Sequence, residues 1–252
     1  MKLSEMLEYT ASEYLDDRQV LVDGDNDDLW SDSFLVKQFN QAQRILARRA
    51  WCIIEYGVAP AGTIVLRTGV TLYPVHKSVL KVFDLTPSTQ AYPIGRTEDL
   101  VLRSVSGSAS EVLTAFETGE AAAREGTALT GAPTAAASDA GTRMVRVYPT
   151  PTSTENGVVV AMKIARLPIE WLTLEDTEAE PEVPEEWHLD ICEYAAGKAL
   201  TLPNSDGDQK PEGRRLLDAF DATVREARRD RQRFELGSSR WAFSSSTAML
   251  NG

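Results

Sequence analysis

The sequence predicts an α+β protein in which N- and C-terminal helices form a four-helix bundle and an antiparallel β domain is inserted between them. Three observations predict this arrangement. Apolar residues recur every three or four positions near both ends of the chain, as in amphipathic helices. Short β-branched runs broken by Gly and Pro fill the middle, as in a β-sandwich or small barrel. An acidic run then separates this middle part from the second helical part.

The N-terminal part of the chain predicts two helices, and we assign residues 1–57 to the bundle. The first helix places Leu3, Leu7, Ala11 and Tyr14 on one face, and a polar turn at residues 23–28 follows it. We expect the second helix to run from Asp32 or Ser33 to about Glu55. Its apolar positions are Leu35, Phe39, Ala42, Leu46, Ala50 and Ile53.

Residues 58–182 predict the inserted β domain. The expected strands are Ile64–Leu66, Val70–Tyr73, Val79–Leu85, Glu111–Phe116, Met144–Tyr148 and Val158–Arg166. Between the first two strands, Arg67-Thr68-Gly69 predicts a tight hairpin. Residues 117–141 are rich in Ala, Gly and Thr and predict a long loop, a feature that is unusual in a compact domain unless the loop has a binding role. Residues 175–182 predict an acidic linker.

The helical period returns at residue 183, and we assign residues 183–236 to the bundle. Pro184 suits the first position of the third helix. The expected buried face of this helix contains Trp187, Ile191, Tyr194, Ala195, Ala199 and Leu202. The fourth helix is expected from about Pro211 to Leu236, where Gly237 would close it. Residues 237–252 then form a Ser-rich tail that carries Trp241 and Phe243.

Composition excludes several classes of protein. A net charge of −12 disfavours a dedicated nucleic-acid binder, because such a chain must overcome repulsion from the phosphates. No signal-peptide pattern or apolar run of about 20 residues occurs, so we expect a protein kept in the cytosol or in a particle assembled there, without membrane contact. Cys52 and Cys192 lie in apolar segments and are expected to be buried free thiols.

Patterns that could carry chemistry are incomplete. The acidic turn at residues 23–28 departs from a calcium loop at its sixth and twelfth positions, and residues 204–208 begin a pattern with the same defects. His188 and Cys192 are four residues apart on a helix, but two ligands do not make a metal site. A metal-dependent hydrolase that uses residues 23–28 or His188 is therefore the least favoured hypothesis. We expect no enzyme activity, no metal and no cofactor.

The last helix is rich in arginine, with Asp and Glu interspersed. Three interpretations are open. The helix could bind DNA, it could be a solvated face with intrahelical ion pairs, or it could form an interface with an acidic neighbour. Its basic residues are Arg214, Arg215, Arg225, Arg228, Arg229, Arg231 and Arg233.

Four stretches, taken in order, resemble the head-to-tail adaptor proteins of short-tailed phages, the group that includes tail tubular protein A. The first covers residues 30–35 (WSDSFL) and 39–47 (FNQAQRILA), and the second covers residues 69–75 (GVTLYPV). The third joins residues 131–133 (GAP), 147–151 (VYPTP) and 164–168 (IARLP), and the fourth joins residues 182–187 (EVPEEW) and 194–200 (YAAGKAL). Together they span most of the chain.

This resemblance implies a structural protein of the virion neck, assembled in the host cytoplasm. It implies a homo-oligomeric ring, typically twelve-fold, between the portal protein and the tail nozzle protein, with a tail fibre as a further candidate partner. Double-stranded DNA would pass through the lumen without being read. We expect the bundle to dock on the portal and the β domain to face the nozzle and neighbouring protomers. The expected portal contacts are Arg228, Arg229, Arg231, Arg233, Trp241 and Phe243.

The alternative function is a DNA-binding or packaging accessory protein that uses the Arg-rich last helix. The two functions differ in what that helix contacts. An adaptor would place the basic helix against protein, whereas the accessory protein would bind duplex DNA tightly and in a salt-dependent manner.

Overall fold

The computed structural model describes residues 1–15, 30–89, 95–96, 130–133, 135–139, 143–202 and 209–247, with the backbone alone for residues 95–96, 135, 137–139 and 232–247. The chain divides into two compact units. The helical unit consists of Met1–Ile53 and Leu167–Gly252, and the β unit consists of Ile54–Arg166. The β unit is therefore inserted in the sequence of the helical unit, and the predicted α+β class is confirmed.

The described part of the helical unit contains four α-helices. They are α1 (Leu3–Thr10), α2 (Asp32–Ala50), α3 (His188–Leu200) and α4 (Lys210–Thr247). A π-helical turn (Ala11–Leu15) extends α1, and a 3-10 turn (Glu185–Trp187) precedes α3. Two helices precede the insertion and two follow it, so the core of this unit is built from parts of the chain that are distant in sequence.

Helix α3 lies at the centre of the helical unit, in contact with α1, α2 and α4. Its buried positions include four residues with little or no side chain, which let neighbouring helices approach closely: Ala195, Ala196, Gly197 and Ala199. Phe220 of α4 packs against Tyr194 with ring centroids 4.8 Å apart. Phe39 of α2 and Met6 of α1 are fully buried in the same core. The core therefore assembles around α3.

Helices α3 and α4 are in close contact at two glycines. A Cβ added at Gly197 would lie 2.9 Å from Cγ of Leu217 and 3.0 Å from the carbonyl oxygen of Gly213. A Cβ added at Gly213 would lie 2.9 Å from Cβ of Leu200 and from Cγ2 of Thr201. Real Cβ atoms essentially never come this close to other heavy atoms, so both positions require glycine for the observed packing.

Helix α2 ends earlier than the sequence predicts, at Ala50 and not near Glu55. Its start agrees with the prediction, because the Ser31 side chain accepts a hydrogen bond from the N–H of Phe34 and caps the helix. At the other end Trp51 adopts a left-handed conformation (φ 53°), and its N–H donates to the carbonyl of Ala47. The apolar period continues through Ile53, which explains why periodicity alone extends the helix too far.

Residues 167–182, which the sequence assigns to the β domain, belong to the helical unit. The acidic strap, which we define as residues 175–186, is fixed to the start of α1. The N–H groups of Leu3 and Ser4 donate to the carbonyls of Ala179 (2.9 Å) and Thr177 (3.0 Å). Pro181, two residues further on, is buried. The predicted linker is therefore an ordered segment, because it accepts two of the N–H groups that a helix start leaves unpaired.

Helix α4 is longer than predicted, because it continues through Gly237 to Thr247. The predicted end of the helix at Leu236 is therefore wrong. Residues 237–247 of the predicted tail belong to the helix. One glycine inside a helix costs only about 1 kcal/mol relative to alanine, so it does not end a helix by itself. Residues 248–252 lie outside the described residues.

The described strands of the β unit form two sheets. The first contains β1 (Ile54–Tyr56), β2 (Thr63–Val65), β4 (Val79–Pro87) and β8 (Val159–Arg166). The second has the order β3-β7-β6-β5, with β3 (Leu72–Pro74), β5 (Gly95–Arg96), β6 (Ala135–Asp139) and β7 (Met144–Tyr148). All pairs of these strands are antiparallel except β5–β6, and the described strands do not form a closed barrel.

Strand β8 is the centre of the first sheet. It pairs along its length with β4 on one edge. On its other edge it pairs with β1 and then with β2, at Ile54↔Ala165 and Val65↔Val159. Strands β1 and β2 therefore act as one edge strand that is interrupted by residues 57–62. Gly57 begins this interruption with φ +66°, a conformation that favours glycine.

The predicted hairpin at Arg67-Thr68-Gly69 is wrong, because β2 pairs with β8 whereas β3 pairs with β7 in the other sheet. The Tyr73 hydroxyl stabilises the crossover. It accepts from the N–H of Arg67 at 3.0 Å and lies 2.7 Å from the carbonyl oxygen of Val70, to which it donates. A turn signal in sequence shows where the chain bends but not which strand follows it in a sheet.

The other strand predictions have mixed outcomes. Met144–Tyr148 has the predicted bounds, and the predictions for Val79–Leu85 and Val158–Arg166 are confirmed within one or two residues. The predicted strand at 111–116 lies outside the described residues. Within the predicted loop at 117–141, residues 135–139 form β6, paired with β7. Alanine has weak strand propensity, so these residues gave no strand signal.

The close crossing of α3 and α4 gives a stability prediction. Gly213→Ala should lower the free energy of unfolding by about 1–3 kcal/mol through steric overlap, although alanine is the better helix former. All five tryptophans lie in the helical unit, so denaturation followed by tryptophan fluorescence reports on this unit. Arg214→Ala, at the next and exposed position, is the control and should change stability by less than about 0.5 kcal/mol. Stabilisation by Gly213→Ala would contradict the close crossing.

Candidate interaction surface

The exposed face of α2 forms one wall of a groove with a volume of about 770 Å³. We call it the α2 groove. Its lining residues are Ser33, Val36, Lys37, Asn40, Gln41, Arg44, Ile45, Arg48, Arg49 and Trp171. All of them belong to the helical unit. The lining combines basic and amide side chains with one large aromatic ring, a composition typical of protein interfaces.

Helical spacing explains why the basic residues of α2 share a face. Lys37, Arg44 and Arg48 are separated by seven and four residues, so they follow one side of the helix over about 17 Å. The opposite side of α2 is apolar and buried, with Phe39 and Leu46 fully enclosed. Within the part of the chain that the structure describes, Lys37, Arg44 and Arg48 form no ion pair. The face therefore presents three cations that are available to a partner.

Trp171 is the aromatic residue of the α2 groove, and its side chain is 52% exposed. The neighbouring backbone is held on both sides. The Asn40 side chain donates to the carbonyl of Leu172 (2.9 Å) and accepts from its N–H (3.0 Å). The Glu182 carboxylate accepts from the N–H groups of Ile169 (2.5 Å) and Glu170 (2.6 Å). Trp171 is thus an exposed ring on an ordered backbone, which lowers the entropy that binding would cost.

A second groove, of about 520 Å³, lies between α2 and α4. We call it the α2–α4 groove. Arg49 of α2 pairs with Asp221 of α4 at 2.7 Å, and Nε of Arg225 donates to the Asp221 carbonyl at 3.0 Å. Arg228 also lines this groove. Since Arg49 lines both grooves, the charged surface continues from α2 onto α4, where Arg225 and Arg228 line it together with Asp218 and Asp221.

The residues predicted to contact the portal do not share one environment. Arg228 lines the α2–α4 groove, and Arg229 is exposed. Arg231 lies on the inward stripe of α4, half-buried, and among the described residues its Nε has no hydrogen-bond partner. The backbone of Arg233, Trp241 and Phe243 belongs to α4, and their side chains lie outside the described residues. That these residues contact a portal stays a prediction.

Sequence reasoning missed the residues of α2 and Trp171. The signal for the basic residues was present, because positions 37, 44 and 48 follow the helical spacing of an exposed face. The density of arginine in α4 drew the prediction to that helix instead. Trp171 gave no comparable signal in the sequence. The backbone next to it is held by Asn40, which is 132 positions away from Leu172, and by the Glu182 carboxylate, which accepts from the N–H of Ile169.

His188 takes part in packing at both ring nitrogens. Its Nε2 lies 2.9 Å from the carbonyl oxygen of Val183, and its Nδ1 lies 3.0 Å from the Met1 ammonium. A carbonyl only accepts and an ammonium only donates, so the ring is neutral with its proton on Nε2. Burial is the main cause that lowers the pKa of His188. The thiol of Cys192 points to the carbonyl of Met6 at 3.9 Å, so the two side chains have separate partners.

The two cysteines are free thiols. Cys192 is buried as predicted, whereas Cys52 is only partly buried. Burial raises the pKa of Cys192 to about 11 and that of Cys52 to about 12, so both thiols are protonated and unreactive at neutral pH.

The remaining sequence predictions concern acidic turns, metal sites and membrane spans. The acidic turns at residues 23–28 and 204–208 lie outside them. Among the residues that are described, no cluster of three or more His, Cys, Asp or Glu side chains could hold a metal ion. In the same residues, no helix combines the length and apolar character needed to cross a bilayer.

Asn40 gives a prediction about the rigidity of the α2 groove. Asn40→Ala should lower the free energy of unfolding of the helical unit by about 1–3 kcal/mol, because the backbone N–H and carbonyl of Leu172 lose their partner. Trp171 should also become more mobile, which time-resolved anisotropy of a variant with Trp171 as sole tryptophan would detect. Gln41→Ala, on the exposed face, is the control. Unchanged stability in Asn40→Ala would contradict the role of Asn40.

His188 gives a prediction about pH. Since its pKa lies below the usual 6.5 in the folded protein, the unfolded chain binds the proton first as the pH falls. The stability contributed by neutral His188 is complete above pH 6.5 and is lost below it, as the pH falls toward the folded-state pKa. The amide introduced by His188→Gln can keep both hydrogen bonds without titrating. Denaturation between about pH 7.5 and about pH 5 should therefore show a steeper loss for the wild type.

Two features make the comparison of wild type and His188→Gln report on the titration of His188 alone. Burial raises the pKa of Asp190 and Glu193, which favours the folded state at low pH, but this effect is common to both proteins and cancels in their difference. His76→Gln, in the β unit, is the control for removing a histidine elsewhere and should keep the wild-type pH dependence of tryptophan fluorescence. Parallel curves for wild type and His188→Gln would show that His188 does not titrate below its usual pKa.

Comparison with known proteins places these surfaces in context. The family model of the SU10 adaptor protein matches residues 1–242, which includes both units and both grooves. A comparison with curated proteins found no match. An adaptor associates with other phage structural proteins, and the exposed, partly unpaired basic surface of the helical unit is suited to such contacts. The chain belongs to the SU10 adaptor protein family and is a structural component of a phage virion.

Proposed function

We propose that this protein forms a twelve-fold ring between the portal and the tail nozzle of a short-tailed phage. The observation that carries the proposal is the family match over residues 1–242, because it covers both units. The helical unit docks on the portal and the β unit faces the nozzle, with a tail fibre as a further partner. Assembly takes place in the host cytoplasm.

The charge of the chain supports a passage for DNA. A net charge of −12 makes the protein as a whole repel the phosphates of a duplex. A lumen built from such a surface lets double-stranded DNA pass without binding it. The basic grooves of the helical unit are then directed to protein partners and away from the lumen.

The far end of α4 supplies the proposed portal contact. Arg229 is exposed there, and the helix continues through Arg233, Trp241 and Phe243. Arginine and aromatic residues are enriched at the energetic centres of protein interfaces. Arg228 and Arg231, which the sequence also assigned to this contact, contribute less directly, because Arg228 lines the α2–α4 groove and Arg231 is half-buried.

A second candidate function is a DNA-binding or packaging accessory protein. The observation in its favour is the row of cations on α2, since Lys37, Arg44 and Arg48 have no ion pair among the described residues and could contact phosphates. This function requires duplex binding that weakens steeply with salt. The logarithm of the affinity should fall against the logarithm of the salt concentration with a slope of about −0.9 for each phosphate contacted.

Electron microscopy of the purified protein mixed with the portal protein of the same genome tests the proposal. We expect rings stacked coaxially on the portal, with the helical unit nearest to it. Free monomers beside bare portals across a range of salt, together with salt-sensitive duplex binding, would favour the DNA-accessory function.

The portal contact is tested in the same assay by Trp241→Ala/Phe243→Ala and by deletion of residues 238–252. Both variants should reduce the occupancy of the portal by about tenfold or more, since aromatic hot spots contribute about 2 kcal/mol or more. Lys163→Ala, in the β unit, is the control and should leave occupancy unchanged. Wild-type occupancy with both variants would show that the far end of α4 is not the portal contact.

A further inference from the structure

We propose that the α2 groove of one copy binds the acidic strap of a neighbouring copy. This inference rests on the proposed ring and names the contact that closes it. Three features of the helical unit support it: unpaired cations in the groove, unpaired carboxylates on the strap, and the separate positions of the two.

The strap carries six exposed carboxylates, which are Glu175, Asp176, Glu178, Glu180, Glu185 and Glu186. Two of them have partners within the chain, because Glu178 pairs with Lys2 at 2.6 Å and Glu185 lies 3.6 Å from the Met1 ammonium. Within the described residues, Glu175, Asp176, Glu180 and Glu186 form no ion pair. The strap therefore presents four carboxylates that a cationic surface can neutralise.

The backbone of the strap is already ordered before any partner binds. Leu3 and Ser4 donate to it from α1, and the N–H of Glu182 donates to the Gln43 side chain at 3.1 Å. Gln43 itself is 1% exposed and lies on the buried side of α2, away from Lys37 and Arg44. A strap held in this way loses little conformational entropy when it enters a groove.

The cations of the groove and the carboxylates of the strap form no ion pair with each other within the described residues of one copy. Within that copy the strap is hydrogen-bonded to Gln43 of α2 and, through Glu182, to the backbone of Ile169 and Glu170. The two surfaces are complementary in charge, and they are different parts of the same unit. Contact between different surfaces of identical chains is heterologous, and it produces a closed ring when the rotation between copies divides a full turn.

The α2 groove also offers apolar area to the strap. Trp171 is exposed at one side of the groove, and Val36 and Ile45 are part of its lining. Between its carboxylates the strap exposes Thr177, whereas Ala179 packs against the core of its own unit. Pairs of arginine and carboxylate beside an exposed tryptophan combine residue types that are enriched at the energetic centres of protein interfaces. The sugar-phosphate backbone of DNA would pair with the cations of the groove but would not bury the exposed ring of Trp171.

A charge-exchange experiment tests this contact. The groove variant carries Lys37→Glu, Arg44→Glu and Arg48→Glu, and the strap variant carries Glu175→Lys, Asp176→Lys and Glu180→Lys. Each variant alone brings like charges together at every contact, so we expect ring formation on the portal and association in solution to fall by about 100-fold or more. Mixed in equal amounts, the two should form rings at close to the wild-type yield with the two variants alternating. In such a ring, the acidic groove of the groove variant contacts the basic strap of the strap variant at every second contact. At the other contacts the unchanged groove of the strap variant binds the unchanged strap of the groove variant.

The mixed sample also controls for folding, since only folded variants can restore assembly. The matched control is Lys163→Glu with Asp84→Lys, a charge change in the β unit, which should not affect assembly. If both single variants assemble as the wild type does, or the mixture fails while the wild type forms rings, the strap contact is wrong and the proposed function stands. If the wild type forms no ring, the proposed function and this contact both fail. Loss of duplex binding in the groove variant, with rings intact, would assign the groove to DNA.

Discussion

The packing around α3 is the constraint on which the helical unit depends. This helix contacts two helices that precede the insertion and one that follows it. Its small residues let those helices come close, and the pair Gly197 and Gly213 allows the close contact with α4. A larger side chain at either glycine would push α4 away from the core, and the α2–α4 groove would change with it. The position of α4 at the α2–α4 groove thus depends on two residues that carry no charge.

The ends of the β unit are fixed by a second constraint. Ile54 and Ala165 are partners in the β1–β8 pair, so the first residue of this unit and its penultimate residue lie side by side. The ion pair between Arg166 and Glu55 lies at the same place and is largely buried. An insertion whose ends meet can be accommodated in the sequence of another unit without separating the helices on either side of it.

Much of the fold follows from local patterns in the sequence. The amphipathic period predicted α1, the start of α2 and the end of α3, and the β-branched run at Met144–Tyr148 predicted β7 with its bounds. The predicted start of α3 at Pro184 is wrong, because a 3-10 turn (Glu185–Trp187) comes first and α3 begins at His188. The errors arose where a distant contact decides the outcome. Trp51 ends α2 in a left-handed conformation although the apolar period continues, and β2 and β3 join different sheets although a turn connects them. The strap is ordered by α1 and by Gln43, which no local pattern reveals.

The interaction surface was predictable only in part. Arginine density identified α4, and Arg228 does line a groove. The α2 face follows from helical spacing once the helix is known. The place of Trp171 beside it does not, because the neighbouring backbone is held by long-range hydrogen bonds, one donated by Asn40 to Leu172 and one accepted by the Glu182 carboxylate from Ile169. The absence of ion pairs at Lys37, Arg44 and Arg48 among the described residues requires coordinates, because a chain with 38 acidic residues offers many partners in sequence.

A cryo-electron microscopy map of the neck in the assembled virion tests the proposed ring and its contact most directly. We expect a ring of this chain directly beneath the portal, in which the α2 face of each copy is covered by the residue 175–186 segment of the next. A neck without this chain would contradict the proposed position of the protein. A ring in which the α2 face of every copy is open to solvent would contradict the proposed way in which its copies join.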